Sequence, residues 1–189
     1  MAQKSDLPQH MGYAGRALPY GDVKVMKSDT EEAATGEVGE IWMRGAAVTP
    51  GYWNRPDATE EAFVGDWLKS GDIGRRDDTG RLSVEDRIKD MYISGGENVY
   101  PAEVESVLMA HPDIREVAVI GVADKKWGEV GCAVIASISG NPLSLEAVQA
   151  QCDGHLARFK WPRRVEHTDA LPRNSTGKVQ KFVLRQHYA

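Results

Sequence analysis

The sequence predicts an α+β protein in which a small antiparallel β subdomain is followed by a compact α+β domain. Up to about Arg87 the 189-residue chain is rich in glycine and in alternating strand patterns, and its one helical pattern is the short Pro56–Phe63 segment. Beyond that point helical patterns interleave with apolar strands. We therefore place a boundary within Asp86–Asp90 and predict two domains, residues 1–86 and 87–189.

Three segments of the first half have patterns typical of strands. The valines of Asp22–Met26 alternate, and Gly39–Gly45 is a strand pattern between two glycines. Arg75–Arg87 is typical of a β-hairpin with its turn at Asp78–Gly80. Strands joined by such short connections favour a small, twisted antiparallel sheet.

The second half alternates between helix and strand patterns. Pro101–His111 begins with proline and carries acidic residues in its first turn, which is typical of a helix start. Ser144–Phe159 predicts an amphipathic helix capped by its first residue, and Val179–His187 predicts a short last helix. Glu116–Asp124 and Val130–Ile138 are apolar runs typical of buried strands.

Composition argues against several functional classes. The formal net charge of −5 gives no basic field for nucleic acid, and no apolar run is long enough for an integral membrane segment. The histidines lack metal-ligand spacing, so we expect no metal site in this chain. Cys132 and Cys152 lie in apolar patterns, which predicts reduced core thiols and a cytoplasmic protein.

The segment Leu171–Lys181, LPRNSTGKVQK, contains a Gly-Lys pair that resembles half of a phosphate-binding loop. A P-loop needs glycine where Pro172 stands and serine or threonine where Val179 stands, so that motif is excluded. What remains is one ammonium on a glycine-containing loop. Lys178 is then either a cation placed against a developing negative charge or a solvated surface lysine.

Three further stretches have two interpretations each. In Ser70–Gly74 an aspartate could accept hydrogen bonds from a ribose diol or form a turn. Asp86–Pro101 combines clustered charges with a glycine pair, which suits either a phosphate and thin-ligand site or a surface ion-pair cluster and tight turn. Arg158–Arg164 is basic, as a solvated helix end or as a contact for an anionic ligand.

Taken in order, these stretches resemble the adenylate-forming acyl-CoA synthetase (AMP-binding) family, and most closely the bacterial fatty-acyl-CoA ligases. The resemblance runs from about Gly12 to the end of the chain. It is specific because several motifs keep their order and spacing. They are GYAGRALPYGDVKVM, GEVGEIWMRGAAVTPGYWNRPDATEEAF, WLKSGDIGRRDDTGRLSVEDRIKDMYISGGENVYPAEVESVL, VAVIGVADKKWGEVGCAVI and LARFKWPRRVEHTDALPRNSTGKVQKFVLR.

The resemblance implies a two-step reaction that uses ATP, releases AMP and transfers an acyl group to CoA. It implies that Lys178 is the catalytic cation between the substrate carboxylate and the α-phosphate. It also implies that Asp72 accepts hydrogen bonds from the ribose diol and that Arg87 contacts ribose and phosphate, so that both bind the nucleotide.

The remaining implied roles concern movement and CoA. Lys89 falls on the hinge position about which the C-terminal domain swings between the two half-reactions. Gly95, Gly96 and Glu97 resemble the loop that approaches the CoA pantetheine in the second conformation.

The resemblance covers only the C-terminal portion of the enzymes of this family. We therefore expect this chain to be a fragment that is inactive by itself. The N-terminal region would supply the phosphate loop, the Mg²⁺ ligand and the acyl pocket, and it would be the main partner. The other expected partners are CoA and a small carboxylic acid, for which we expect a fatty acid. An adenylation domain that loads a carrier protein and a non-catalytic binding or regulatory module remain alternatives. A homo-oligomer is also open, because an orphaned subdomain can expose apolar surface.

Overall fold

A computed structural model describes residues 12–189 of the chain. The chain divides into two compact units between Ile88 and Lys89. Arg87 and Ile88 go with the first unit rather than the second, because Arg87 ends the last strand of the first unit.

The first unit is an antiparallel β-sheet with one short helix. Its elements are β1 (Tyr13–Gly15), β2 (Gly21–Met26), β3 (Val38–Gly45), α1 (Pro56–Ala62), β4 (Phe63–Val64), β5 (Trp67–Arg76) and β6 (Leu82–Arg87). The strand order is β1-β6-β5-β3-β2, with β4 paired to β5. The strands, the hairpin and the short helix predicted from the sequence are all present, and the predicted α+β class is confirmed.

The first unit has a small hydrophobic core. Val25, Ala33 and Leu82 form its main buried cluster, and Trp42 is 1% exposed. A largely apolar groove of about 670 Å³ opens beside the sheet, between the β1–β2 segment and the end of β3. Within the part of the chain that the structure describes, this unit therefore leaves apolar surface uncovered.

The second unit mixes helices and strands. Its elements are β7 (Tyr92–Ser94), β8 (Glu97–Val99), α2 (Pro101–Leu108), β9 (Ile114–Asp124), β10 (Gly128–Ser137), α3 (Leu145–Cys152), β11 (Arg164–His167) and α4 (Lys181–Tyr188). Strand β10 pairs with β9 and β7 in antiparallel fashion and with β11 in parallel fashion. A parallel pair needs a crossover connection, and the segment containing α3 provides it. No helix in residues 12–189 is long and apolar enough to cross a membrane.

Strands β9 and β10 are the central pair of the second unit. They pair from Gly128–Asp124 at one end to Ser137–Ile114 at the other. The side chains of each strand alternate between two faces, and both faces are covered by other elements. Each strand is therefore a continuous apolar run in the sequence. Residues of α2 and α3 bury one face, and Leu171 with Leu184 of α4 buries the other.

Helix α3 is shorter than the sequence predicts. It begins after the Ser144 cap, whose Oγ accepts from the Ala147 N–H at 3.2 Å, and it ends at Cys152. Gly154 then takes a left-handed φ of +75°, which ends a helix readily. The predicted extension to Phe159 is wrong: Arg158–Lys160 forms a separate 3₁₀ turn.

Both cysteines lie in the core as predicted. Cys132 and Cys152 are buried free thiols. Burial raises the pKa of each to about 11, so both thiols are neutral at physiological pH.

The ring of Tyr92 lies against a pair of facing glycines. Gly121 and Gly131 are direct partners in the β9–β10 ladder, and a Cβ on either would collide with this ring. The ring is 2% exposed, and its hydroxyl has no hydrogen-bond partner within residues 12–189. Burial also raises the pKa of this hydroxyl. The glycine pair therefore fixes the position of β7 at the cost of one unsatisfied polar group.

Replacing Tyr92 by phenylalanine should stabilise the second unit by about 1 kcal/mol, because a buried hydroxyl without a partner costs about 1–3 kcal/mol. Tyr92→Ala should instead destabilise it by about 3 kcal/mol or more, since the ring leaves a cavity. Urea unfolding followed by circular dichroism measures both changes. A loss of stability above about 1 kcal/mol in Tyr92→Phe would show that the hydroxyl does have a stabilising contact.

Candidate functional site

The predicted nucleotide ligands Asp72 and Arg87 form an ion pair in the first unit. They are direct partners in the β5–β6 ladder, and Arg87 Nε lies 3.0 Å from Asp72 Oδ1. The Arg87 side chain is nevertheless 52% exposed. A planar guanidinium that a carboxylate orients while it stays accessible can present N–H donors to a phosphate or a sugar.

Glu40 fixes the irregular part of β5 just before Asp72, where the β3–β5 register shifts, and sequence reasoning missed it. Gly71 has a φ of +71°, and its N–H donates to Glu40 Oε1 at 3.0 Å. The other oxygen of Glu40 accepts from the indole N–H of buried Trp42 at 2.9 Å. Glu40 and Trp42 share a strand face because they are two residues apart, and this spacing is the one signal in the sequence.

Lys89 lies between two neighbours that are each held inside their own unit. In the first unit the Ile88 N–H donates to the Gly71 carbonyl at 2.9 Å. In the second unit Arg185 of α4 donates to the Asp90 carboxylate at 3.0 Å and to its carbonyl at 3.3 Å. Ile88 and Asp90 are therefore both held by hydrogen bonds, and the backbone torsions of Lys89 connect these two held residues.

Gly95 and Gly96 form the tight turn between β7 and β8, and Glu97 is the first residue of β8. The Gly95 N–H donates to the Trp127 carbonyl at 2.9 Å, and a Cβ on Gly95 would come within 2.8 Å of the Trp127 ring. Gly96 has a φ of +89° and open space where a Cβ would be. The turn thus packs one glycine on an aromatic ring and leaves bare backbone at the next, which lets a narrow ligand approach.

Cations surround the same tryptophan. The Arg163 guanidinium lies 5.1 Å and Lys126 Nζ 4.7 Å from the Trp127 ring. Arg158 lies 5.2 Å from the ring of Trp161, beside Arg163 in a small groove. We call Lys126, Trp127, Arg158, Trp161 and Arg163 the basic aromatic surface. The sequence identifies the basic stretch Arg158–Arg164. The fold adds Lys126 and Trp127, which lie in the turn between β9 and β10.

Lys178 lies on a short hairpin that Asn174 organises. Asn174 Oδ1 accepts from the Thr176 N–H (3.0 Å), the Thr176 hydroxyl (2.8 Å) and the Lys178 N–H (2.9 Å). The Asn174 N–H in turn donates to the Lys178 carbonyl at 2.9 Å. Gly177 has a φ of +83°, as the turn requires. The backbone of Lys178 is therefore held on both sides while its side chain is exposed.

The two predicted reaction loops lie at opposite ends of the second unit. The Lys178 hairpin is held at Glu116, near the start of β9, whose carboxylate accepts from the Leu171 N–H at 3.3 Å. The Gly95 turn is held at Trp127, just beyond Asp124 at the other end of β9. At about 3.3 Å per strand residue, the stretch of β9 from Glu116 to Asp124 spans about 26 Å.

Comparison with known proteins identifies this second unit. Residues 103–178 match the family model of the AMP-binding enzyme C-terminal domain, and the match ends on Lys178. The second unit therefore contains a member of the family of AMP-binding enzyme C-terminal domains.

Relatives in the AMP-binding family extend the match to nearly the whole chain. The long-chain-fatty-acid–CoA ligase FadD13 of Mycobacterium tuberculosis is 46% identical over 184 residues, which is 97% of this chain and 36% of that protein. The indoleacetate–CoA ligase of Aromatoleum aromaticum is 42% identical over 182 residues, 96% of this chain and 36% of its own length. The chain therefore spans little more than a third of the length of these relatives.

A solved structure agrees with the fold. The o-succinylbenzoate CoA synthetase MenE of Bacillus subtilis, in complex with the acyl-adenylate intermediate OSB-AMP, matches with a TM-score of 0.87 and 39% identity. The match covers 98% of this chain and 37% of that one.

The magnesium ion that the AMP-binding family implies has no ligand set in the described part of the chain. Within residues 12–189 no three His, Cys, Asp or Glu side chains converge as metal ligands.

Replacing Asn174 by alanine should release the Lys178 hairpin, because three donors lose one acceptor. The Thr176 and Lys178 amides should then exchange with solvent about tenfold faster, as the loss of about 1.4 kcal/mol would give. Asn174→Asp keeps an acceptor oxygen and should preserve the protection. Amide hydrogen exchange by NMR measures this, with the buried Val134 amide as an internal control. Equal exchange in Asn174→Ala and the unchanged chain would contradict the role of Asn174.

Proposed function

We propose that this chain forms the C-terminal part of an ATP-dependent, AMP-forming acyl-CoA synthetase. In the first step an oxygen of the substrate carboxylate bonds to the α-phosphorus of ATP, and the bond from that phosphorus to pyrophosphate breaks. In the second step the CoA thiol loses its proton, its sulfur bonds to the acyl carbon, and AMP leaves. Membership of the second unit in the family of AMP-binding enzyme C-terminal domains supports this class of reaction.

The observation that carries the proposal is the separation of two loops in the second unit. An exposed ammonium and a bare glycine turn are anchored at opposite ends of one ladder, whose strand β9 spans about 26 Å from Glu116 to Asp124. One orientation of this unit can present one of them to a reacting centre but not both. An enzyme that uses the unit in both steps needs a joint, and Lys89 lies at the boundary between the units.

Lys178 would act in the first step. Bringing a carboxylate to a phosphate places two anions together, and charge builds up further as the new bond forms. An ammonium without a carboxylate partner can offset that charge. Its hairpin would hold the amine in place, and movement of the unit would then remove it so that the thiol can enter.

Asp72 and Arg87 would hold the nucleotide from the first unit. The carboxylate of Asp72 can accept two hydrogen bonds from a ribose diol, and its ion pair orients Arg87 towards the same ligand. An arginine held in this way is preorganised for a phosphate or ribose oxygen.

CoA would bind at the other end of the second unit. Pantetheine is a narrow chain, and it can pass the bare backbone of Gly96 beside Gly95 and Glu97. The phosphates of CoA are anionic, and the basic aromatic surface lies next to that turn. Trp127 belongs to both, because it packs on Gly95 and carries Arg163 over its ring.

A fatty acid is the proposed substrate, on the strength of the FadD13 match. The named acids of the matched relatives differ, since they include indoleacetate as well. The matched region is therefore common to ligases of different acids, and the acyl pocket would come from the rest of the enzyme.

A chimera tests the proposal, with this chain replacing the matching segment of FadD13. The chain alone should catalyse no carboxylate-dependent ATP–pyrophosphate exchange, whereas the chimera should. Lys178→Ala in the chimera should lower the exchange rate by about 10²–10³-fold, the range for removing one preorganised charge-stabilising group. Thioester formation from preformed acyl-adenylate should change little.

Two controls complete this test. Lys178→Arg keeps the charge with a different shape and should retain part of the activity. Replacing CoA by a carrier-protein thiol asks whether the acceptor is a carrier instead. A folded, monodisperse chimera that exchanges no pyrophosphate, or equal losses in both steps for Lys178→Ala, would overturn the proposal.

Lys89→Pro tests the joint. Proline fixes φ near −65°, so the chimera should lose at least about tenfold in overall thioester formation while retaining one of the two half-reactions. Lys89→Ala leaves the torsions free and should behave like the unchanged chimera. Separate assays of exchange and thioester formation measure the split. Full turnover in Lys89→Pro would place the joint elsewhere.

A further inference from the structure

A chain of polar contacts runs from β9 to the backbone of Lys178. Arg173 donates through Nη2 to Glu116 Oε1 at 2.5 Å and through Nη1 to the Gly177 carbonyl at 2.7 Å. That carbonyl belongs to the peptide bond that joins Gly177 to Lys178. One planar guanidinium thus connects a strand of the central pair to the peptide bond of the lysine.

Glu116 is a firm anchor for this chain of contacts. It faces Ala136 within the β9–β10 ladder, so its backbone is fixed by strand pairing. Its second carboxylate oxygen accepts from the Leu171 N–H at 3.3 Å. The pKa of the Glu116 carboxyl is lowered, first by the hydrogen bond from Arg173 and then by that N–H, which keeps it charged at neutral pH.

Arg173 adds a restraint that Asn174 does not supply. Asn174 closes the hairpin on itself through the N–H and carbonyl of Lys178, which fixes its internal shape. It does not fix where the hairpin points relative to the sheet. The contact of Arg173 with both Glu116 and Gly177 fixes that direction, because the two donors belong to one rigid group.

We propose that Glu116 and Arg173 are positioning residues that aim the Lys178 ammonium for the adenylation step. This inference rests on the proposed function of Lys178. Neither residue touches the reacting atoms. Their role is to transmit the fixed position of β9 to an exposed side chain through the Gly177–Lys178 peptide bond. Misplacing a reacting group by about 1 Å can cost about 10²-fold in rate.

The competing explanation is an ion pair that merely stabilises the fold. The Arg173 side chain is 44% exposed, and ion pairs that are exposed in this way contribute little to stability. Charge reversal separates the two explanations. Glu116→Arg with Arg173→Glu restores opposite charges, but glutamate at position 173 cannot donate to the Gly177 carbonyl. A stabilising pair is rescued by the reversal, whereas a positioning role is not.

The first measurement uses the 189-residue chain and requires no activity. In Arg173→Gln and in the charge-reversed double variant, the Gly177 carbonyl ¹³C resonance should shift upfield. The Lys178 amide order parameter should also fall in both. The control reverses the Glu103–Lys160 pair, whose atoms are 2.7 Å apart in the same unit. It should leave both signals unchanged. Unchanged Gly177 and Lys178 signals in the double variant would overturn the inference.

The second measurement uses the FadD13 chimera. Arg173→Gln and the double variant should lower kcat for ATP–pyrophosphate exchange by about 10–100-fold, with KM for ATP and thioester formation from acyl-adenylate little changed. If Lys178→Ala has no effect on exchange, the proposed function itself fails. If Lys178→Ala is impaired while the double variant has wild-type exchange, the positioning role alone is wrong.

Discussion

The antiparallel pairing of β9 with β10 is the constraint on which the second unit depends. Helices bury both faces of this ladder, so its length and direction are fixed by packing as well as by hydrogen bonds. Each end then carries one loop. Trp127 holds the Gly95 turn at one end, and Glu116 holds the Lys178 hairpin at the other. A rigid ladder of this kind keeps two chemically different surfaces apart. Under the proposed function, the unit as a whole would turn between the two half-reactions.

Such a movement explains why the proposed joint is confined to Lys89. A swinging unit delivers its loops reproducibly when few torsions change, because every additional free torsion spreads the positions that the loops can reach. Ile88 is held to Gly71 inside the first unit, and Asp90 is held to Arg185 inside the second. Glu40 supports the first of these contacts, since it fixes the N–H of the glycine whose carbonyl holds Ile88. The restraints thus converge on Lys89 from both directions.

Sequence reasoning recovered the fold class and the elements with strong local patterns. The Asp78–Gly80 turn and the apolar runs of β9 and β10 carry their own local signals. The extent of α3 was wrong, because an amphipathic pattern continues past Cys152 although Gly154 takes a left-handed conformation. The supporting residues were missed for another reason. Glu40, Trp127 and Glu116 support the site through contacts with segments distant in sequence, and a single sequence does not show which distant segments meet. The two-residue spacing of Glu40 and Trp42 shows a shared strand face but not the contact with Gly71.

The candidate site also shows how an exposed cation can be aimed without being neutralised. A carboxylate bonded directly to Lys178 would hold its ammonium still, but it would offset the charge that an incoming anion is meant to meet. The structure restrains the peptide backbone instead: Asn174 holds the N–H and carbonyl of Lys178, and Arg173 holds the carbonyl before it. The carboxylate of Glu116 is hydrogen-bonded to Arg173, and the guanidinium of Arg173 links it to the hairpin. The restraint acts through neutral peptide groups, so the charge of the side chain would stay available for the proposed adenylation step.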